Sequence, residues 1–315
     1  TAISDSWKQQ MLLNLVKTRY ADAPVFLEIA SIISQYSLAG QVTGQVEFTN
    51  PPWSHNELLS GSALWYDRPT ITYNLLTGEK FARNLLSPIP PTAIMSMVQS
   101  GWPVDFVFRL TASAINGVRN SSGAQLSPGA ADPRFKEVLD AMRRIQLSDT
   151  VGVRVEKQGQ QDVASVFWGR APTTQTAEDS ALVRRLLGLS REAREFELVF
   201  GPVPKNDREF AILSRSLMQI LVELAACIDV PCEHVAARLT YASSPAGRED
   251  CLIAIRSSPK KPASYFVAVP YKGCWFWIDD SDYQSKRMLS LLLLFFSLME
   301  SPTGAGAPII TVPAG

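Results

Sequence analysis

The apolar pattern of this chain keeps switching between helical and strand spacing, and neither spacing holds for long. The longest greasy stretch, Met288 to Met299, is 12 residues with Ser290 and Ser297 inside it. As a helix it reaches ~18 Å against a bilayer core of ~30 Å, so it does not span a membrane. The chain therefore has to build its core by laying short helices over small sheets.

Along the first third, residues 6–20 read as an amphipathic helix. Trp7, Met11, Leu12, Leu15 and Val16 share one stripe, and Ser6 with Gln9 has capping-box spacing. Residues 24–36 fit helix and strand equally. Val42, Val46 and Phe48 alternate and predict a strand. Asn50-Pro51-Pro52 and Ser60-Gly61-Ser62 read as loop. Residues 64–75 alternate again, with Pro69 suited to an edge or a bulge. Short helices follow at 79–86 and 92–99. Val104, Phe106, Phe108 and Leu110 then alternate with less apolar neighbours, which predicts a strand running to Asn116-Gly117.

Residues 120–131 carry no apolar periodicity and many breakers, and read as a linker. Asp132 with Pro133 opens a helix whose buried stripe is Phe135, Val138, Leu139, Met142 and Ile145. Val151–Val155 and Val163–Trp168 form a hairpin around Gly159. A helix at 178–187 ends on Gly188, and a strand at 196–200 stops at Gly201-Pro202. The pattern Phe210, Leu213, Leu217, Ile220, Leu221, Leu224 predicts the longest helix, from Asn206-Asp207 to about Cys227. A short helix after Pro231, a loop at 242–248 and strands at 252–256, 265–269 and 274–278 follow. An apolar helix at 283–299, a glycine-rich loop at 302–307 and a strand Ile309–Val312 complete the chain.

The order helix, strand pair, helix, strand recurs, without residue-level repetition. It predicts an α+β fold of two or three small two-layer domains, each helix–hairpin–helix–strand, with mostly antiparallel sheets. The boundaries read as a domain at 1–119, the linker, a central domain at 132–201, a third at 202–300, and a tail at 301–315. By fold-level analogy alone, such domains recur in proteins that assemble into rings in bacterial envelopes.

Composition narrows the partners. Apolar residues are 46% and charged residues 19%, which excludes a disordered chain. Thirty basic residues cancel thirty acidic ones, and Arg143-Arg144, Arg184-Arg185 and Lys260-Lys261 are isolated pairs that make no basic patch, so no nucleic-acid partner is expected. His55 and His234 are the two histidines, too few for a multi-histidine metal site. No nucleophile elbow, phosphate loop or dinucleotide fingerprint is present, so no catalytic residue, metal or cofactor is assigned. Cys227, Cys232, Cys251 and Cys274 contain no C-x-x-C and fit either buried thiols or disulfides. Asn120-Ser121-Ser122 matches a glycosylation triplet.

The most concentrated segment is Tyr271 to Tyr283. On a strand Trp275 and Trp277 share one face, and Cys274, Phe276 and Ile278 the other. Core packing is one reading, and a binding surface of Tyr271, Trp275 and Trp277 is another. Asp279, Asp280 and Asp282 fail the calcium-loop pattern, since Ser285 and Leu291 stand where Gly and Glu are needed. Helix capping through Ser281 and Gln284 accounts for them, while a buried carboxylate cluster would serve acid–base chemistry. His234 reads as a packing residue.

Several segments are similar to an uncharacterised group of Gram-negative envelope proteins. They are Ile3 to Lys17 with Arg19 to Leu27, Arg68-Pro-Thr-Ile-Thr-Tyr73, Gly78-Glu-Lys-Phe-Ala82, Pro88-Ile-Pro-Pro91, Val269-Pro-Tyr271 and Trp275 to Asp282. The resemblance covers most of the chain and implies a periplasmic location. It also implies outer-membrane anchoring through a lipidated residue upstream of Thr1. An oxidising periplasm permits disulfides, with Cys227–Cys232 and Cys251–Cys274 as the pairs near one another in sequence or in the expected sheet. The expected function is a non-enzymatic envelope scaffold or adaptor that contacts other envelope proteins or further copies of itself. The alternative is a periplasmic hydrolase or ligand-binding protein using Trp275–Asp282.

Overall fold

A computed structural model describes residues 2–43, 60–75, 79–120, 132–148, 151–158, 161–169, 173–242 and 251–299. Val46 and Phe48, the loop at 50–52, the linker beyond Asn120, residues 243–248 and the tail with its strand at 309–312 lie outside the described residues. The chain divides into two compact units, Val25–Leu76 and the remainder.

The smaller unit is an antiparallel hairpin of β1 (Leu27–Thr43) and β2 (Ser60–Leu75). Residues 24–36 resolve as strand from Leu27. Ser60-Gly61-Ser62, expected as loop, opens β2, because these residues complete the ladder opposite Gln41 to Thr43. Pro69 faces Ser34, and a two-stranded ladder leaves every strand an edge, where the missing N–H is tolerated.

The larger unit is α+β. It opens with α1 (Ala2–Arg19), which starts before Ser6, so the Ser6–Gln9 pair lies inside the helix and is not its cap. Met11, Leu12, Leu15 and Val16 are buried as the stripe predicts, while Trp7, placed on the same stripe, is exposed near the helix start. Helices α2 (Glu79–Leu86), α3 (Pro91–Gln99) and α4 (Val104–Thr111) follow. α4 corrects the strand expected at 104–110. Val104, Val107, Phe108 and Thr111 are buried at helical spacing, and only the coincidence of Phe106 and Leu110 made the stretch look alternating. The strand begins only after α4, as β3 (Ala112–Ile115), and turns at Asn116-Gly117 into β4 (Val118–Arg119). Both turn residues have positive φ, 45° and 83°, the backbone that an Asn-Gly hairpin turn requires.

Then come α5 (Pro133–Gln146), the hairpin β5 (Val151–Gln158) and β6 (Gln161–Trp168), α6 (Thr174–Leu187) and β7 (Glu195–Phe200). Asp132 caps α5 through the Arg134 amide at 2.9 Å, and Gly188 ends α6 at φ 66°. The long helix expected at 207–227 is two elements, β8 (Glu209–Ser214) and α7 (Leu217–Ala226). Glu209 to Ile212 are all buried because β8 is an inner strand covered on both faces, and a continuous apolar run does not tell such a strand from a helix.

The main sheet has the order β4-β3-β8-β7-β6-β5, antiparallel except for the parallel β7–β8 pair. Residues 201–208 carry the chain back along β7 to start β8. Glu209 anchors that return, accepting from the Lys205 amide at 2.8 Å and the Asn206 side chain at 3.4 Å. The segments 1–119, 132–201 and 202–300 thus all contribute strands to one sheet. A second sheet has the order β10-β11-β9, from β9 (Arg256–Ser258), β10 (Val267–Tyr271) and β11 (Cys274–Ile278). The strand expected at 252–256 is reduced to this short β9. Leu252, Ile253 and Ile255 are buried, yet the ladder begins at Arg256. The short α8 (Cys232–Ala236) precedes β9, and α9 (Tyr283–Met299) closes the described chain. α1 packs against α7, α9 and β10, which places its buried stripe over the second sheet.

Candidate functional site

β11 is the central strand of its sheet. Cys274, Phe276 and Ile278 face the core, the last two fully buried. Trp275 and Trp277 occupy the opposite face and are half-buried. Trp275 lies across from Pro270 and Ser258, and Trp277 from Ala268 and Arg256. The Lys261 ammonium sits 5.2 Å from the Trp275 ring and 5.3 Å from Tyr265. The Lys261 cation thus sits over the Trp275 ring, a geometry that stabilises both partners through the ring quadrupole.

The three aspartates go to different partners. Asp279 Oδ1 accepts from the Ser281 amide at 3.0 Å and the Ser281 hydroxyl at 2.7 Å, and Oδ2 meets the Arg256 guanidinium at 3.3 Å. The Ser281 hydroxyl, then its amide, and the Arg256 charge hold the Asp279 carboxyl below the usual range. Asp280 binds the Lys286 ammonium at 2.9 Å. Asp282, not Ser281, caps α9. It accepts from the Ser285 amide at 3.0 Å and the Ser285 hydroxyl at 2.6 Å, so the cap residue is one position later than the expected pair. Among the described residues no cluster of three His, Cys, Asp or Glu side chains has the geometry to hold a metal.

The cysteines pair otherwise than expected. Cys227, after α7, is bridged to Cys251, with Cα atoms 5.6 Å apart, and Cys232 and Cys274 are free thiols. The pairs Cys227–Cys232 and Cys251–Cys274 do not form. The chain leaving α7 runs beside residue 255, with an Ile228–Ile255 bridge, and this delivers Cys251 to Cys227. Asn120 is buried, its amide donating to the carbonyls of Arg109 at 2.9 Å and Ala112 at 2.7 Å, so the glycosylation triplet is spent on closing α4.

A second group of residues meets without any spacing in the sequence to signal it. Tyr20 Oη lies 2.6 Å from His234 Nδ1, and His234 Nε2 lies 4.0 Å from Cys274 Sγ. The Tyr20 ring meets Tyr271 edge-on at 5.3 Å and Phe276 at 6.0 Å, and the Tyr271 hydroxyl donates to Asp22. Burial, then the Cys274 thiol, push the Tyr20 phenol up to about 12. Tyr20 and His234 are 214 residues apart and Asp22 and Tyr271 are 249 apart, and these groups meet only because α1, α8 and β11 converge.

Two other surfaces stand out. Trp102 stacks on Phe106 at 6.4 Å, and the Arg287 guanidinium lies 5.7 Å from Trp102, 5.3 Å from Phe106 and 5.6 Å from Tyr283. Tyr283 is 70% exposed. A cavity of about 490 Å³ lies among Met95, Val98, Met142, Ile145, Leu147 and Trp168, with Gln99, Arg143 and Gln146 also on its wall. No known protein family, no curated protein and no solved structure matches this chain.

Proposed function

We propose that the chain is a non-enzymatic protein of the bacterial cell envelope, exposed to the periplasm, that serves as a scaffold or adaptor subunit of a larger assembly. The observation that carries this reading is the cluster of Trp102, Phe106, Tyr283 and Arg287 at the surface. Trp, Tyr and Arg are the side chains most often found as energetic anchors of protein interfaces, and here Trp102 and Tyr283 gather around the Arg287 guanidinium. The Cys227–Cys251 bridge supports an extracytoplasmic, oxidising location. Among the described residues no helix is long and apolar enough to cross a membrane. Attachment to the outer membrane would run through a lipidated residue upstream of Thr1, which mass spectrometry of the native N-terminus decides. The partners are other envelope proteins or a second copy.

The test is cross-linking in intact envelopes together with light scattering on the purified protein. The proposal expects a discrete cross-linked species that Arg287→Glu with Tyr283→Ser abolishes while the circular dichroism spectrum is kept. A chain that stays monomeric and cross-links to nothing refutes it. A second reading, a ligand-binding protein, is favoured by the cavity beside Trp168, which is of the size that takes a small molecule and is walled by apolar side chains with Gln99, Arg143 and Gln146. It predicts a rise in melting temperature with such a molecule that Met142→Trp removes.

A further inference from the structure

The imidazole of His234 stands between a phenol and a thiol. Each ring nitrogen faces one partner, Nδ1 to Tyr20 Oη at 2.6 Å and Nε2 to Cys274 Sγ at 4.0 Å. The order thiol, base, orienting group is the arrangement by which a cysteine is made nucleophilic, because the thiolate and not the thiol attacks. When the phenol oxygen accepts from Nδ1–H, the bare Nε2 is the atom turned toward the sulfur. Cys274 is 9% exposed, and the rings of Tyr20 and Phe276 pack edge-on beside its strand, so it admits small reagents only. The bridge between Cys227 and Cys251 shows that this chain forms disulfides, and Cys274 lies outside that bridge.

We propose that Cys274, His234 and Tyr20 form a thiol–disulfide exchange site that takes low-molecular-weight disulfides. The Cys274 S–H proton passes to His234 Nε2. The thiolate attacks one sulfur of the small disulfide, a new S–S bond forms to Cys274, and the old S–S bond breaks. The departing thiolate takes the proton from the imidazolium, so a mixed disulfide and one free small thiol result, and no other oxidant is needed. Exchange fits better than acyl transfer, since it requires no oxyanion donors beside the sulfur. Tyr20 is a positioning residue that fixes the ring.

The test uses the full chain carrying Cys232→Ser, which leaves Cys274 as its one free thiol, with cystamine as the probe and intact mass as the readout. The site predicts one adduct per chain, formed at a rate that stays measurable below neutral pH. Adding His234→Gln slows it at least tenfold and moves the pH profile up toward that of an ordinary thiol. Adding Tyr20→Phe, which keeps the ring packing, slows it several-fold and also shifts the profile. Equal rates and pH profiles with and without His234 overturn the proposal. So does a folded chain that forms no adduct while the denatured chain does. Should His234→Gln not fold, the Tyr20→Phe profile decides, and an unshifted profile there overturns it as well.

Discussion

Ser216 shows how much a single side chain settles. Its hydroxyl accepts from the Gln219 amide at 3.2 Å, and the Gln219 side chain accepts from the Ser216 amide at 2.8 Å, closing a capping box at the start of α7. Ser216→Ala removes one side of it and costs about 1 kcal/mol, read as a lower urea midpoint with unchanged slope. Tyr20 gives a prediction in pH. Its folded value of about 12 lies above the ordinary value of 10.0, so its contribution is complete below pH ~10 and is lost as pH rises toward ~12. Stability of the native chain therefore falls more steeply across that window than that of Tyr20→Phe, which alkaline denaturation compares directly. Local rules reach some residues and not others. Asp132 before Pro133, and Gly188 after α6, act on their own neighbours in sequence and were legible. Tyr20, His234 and Cys274 carry no such signal, since their partners are distant in the chain.

Gln146, at the end of α5, ties three helices together. Its Oε1 accepts from the Val104 amide at 3.0 Å, which satisfies one of the open donors at the start of α4. Its Nε2 donates to the carbonyls of Trp102 at 2.8 Å and Val98 at 3.2 Å, at the end of α3. Gln146→Leu leaves these half-buried groups without their partner and costs about 1–3 kcal/mol, with hydrogen exchange at Val104 rising first. Arg215 does the same at the other end of α4. It is buried, and its Nη1 donates to the carbonyls of Arg109 at 2.9 Å and Leu110 at 3.1 Å, a cation set on a helix C-terminus. Such clamps explain why α4 is a helix despite its alternating sequence. Short segments hold too few residues for periodicity to choose, and the choice falls to whichever form has its end groups satisfied.

At the scale of the molecule, the main sheet gathers β3 and β4 from near residue 115, β5 to β7 from the middle of the chain, and β8 between them. Asn116 fastens that junction. Its Oδ1 accepts from the Ala211 amide at 2.6 Å, and its Nδ2 donates to the carbonyls of Leu187 at 2.9 Å and Glu209 at 3.2 Å. The Cys227–Cys251 bridge closes a separation of 24 residues. Restricting that loop in the unfolded chain is worth about 2–4 kcal/mol, so reductant lowers the melting temperature of the native chain and leaves that of Cys227→Ser with Cys251→Ser unchanged. A native chain insensitive to reductant contradicts this. The amino-acid sequence alone determined the α+β class, the hairpin of β5 and β6, the helix of residues 283–299 and the buried stripe of α5, because these follow from periodicity and from groups a few residues apart. Tertiary structure decided which strands share a sheet, which cysteines join, and that a phenol, an imidazole and a thiol meet, because sequence spacing does not encode which remote surfaces the packing of apolar faces brings into contact.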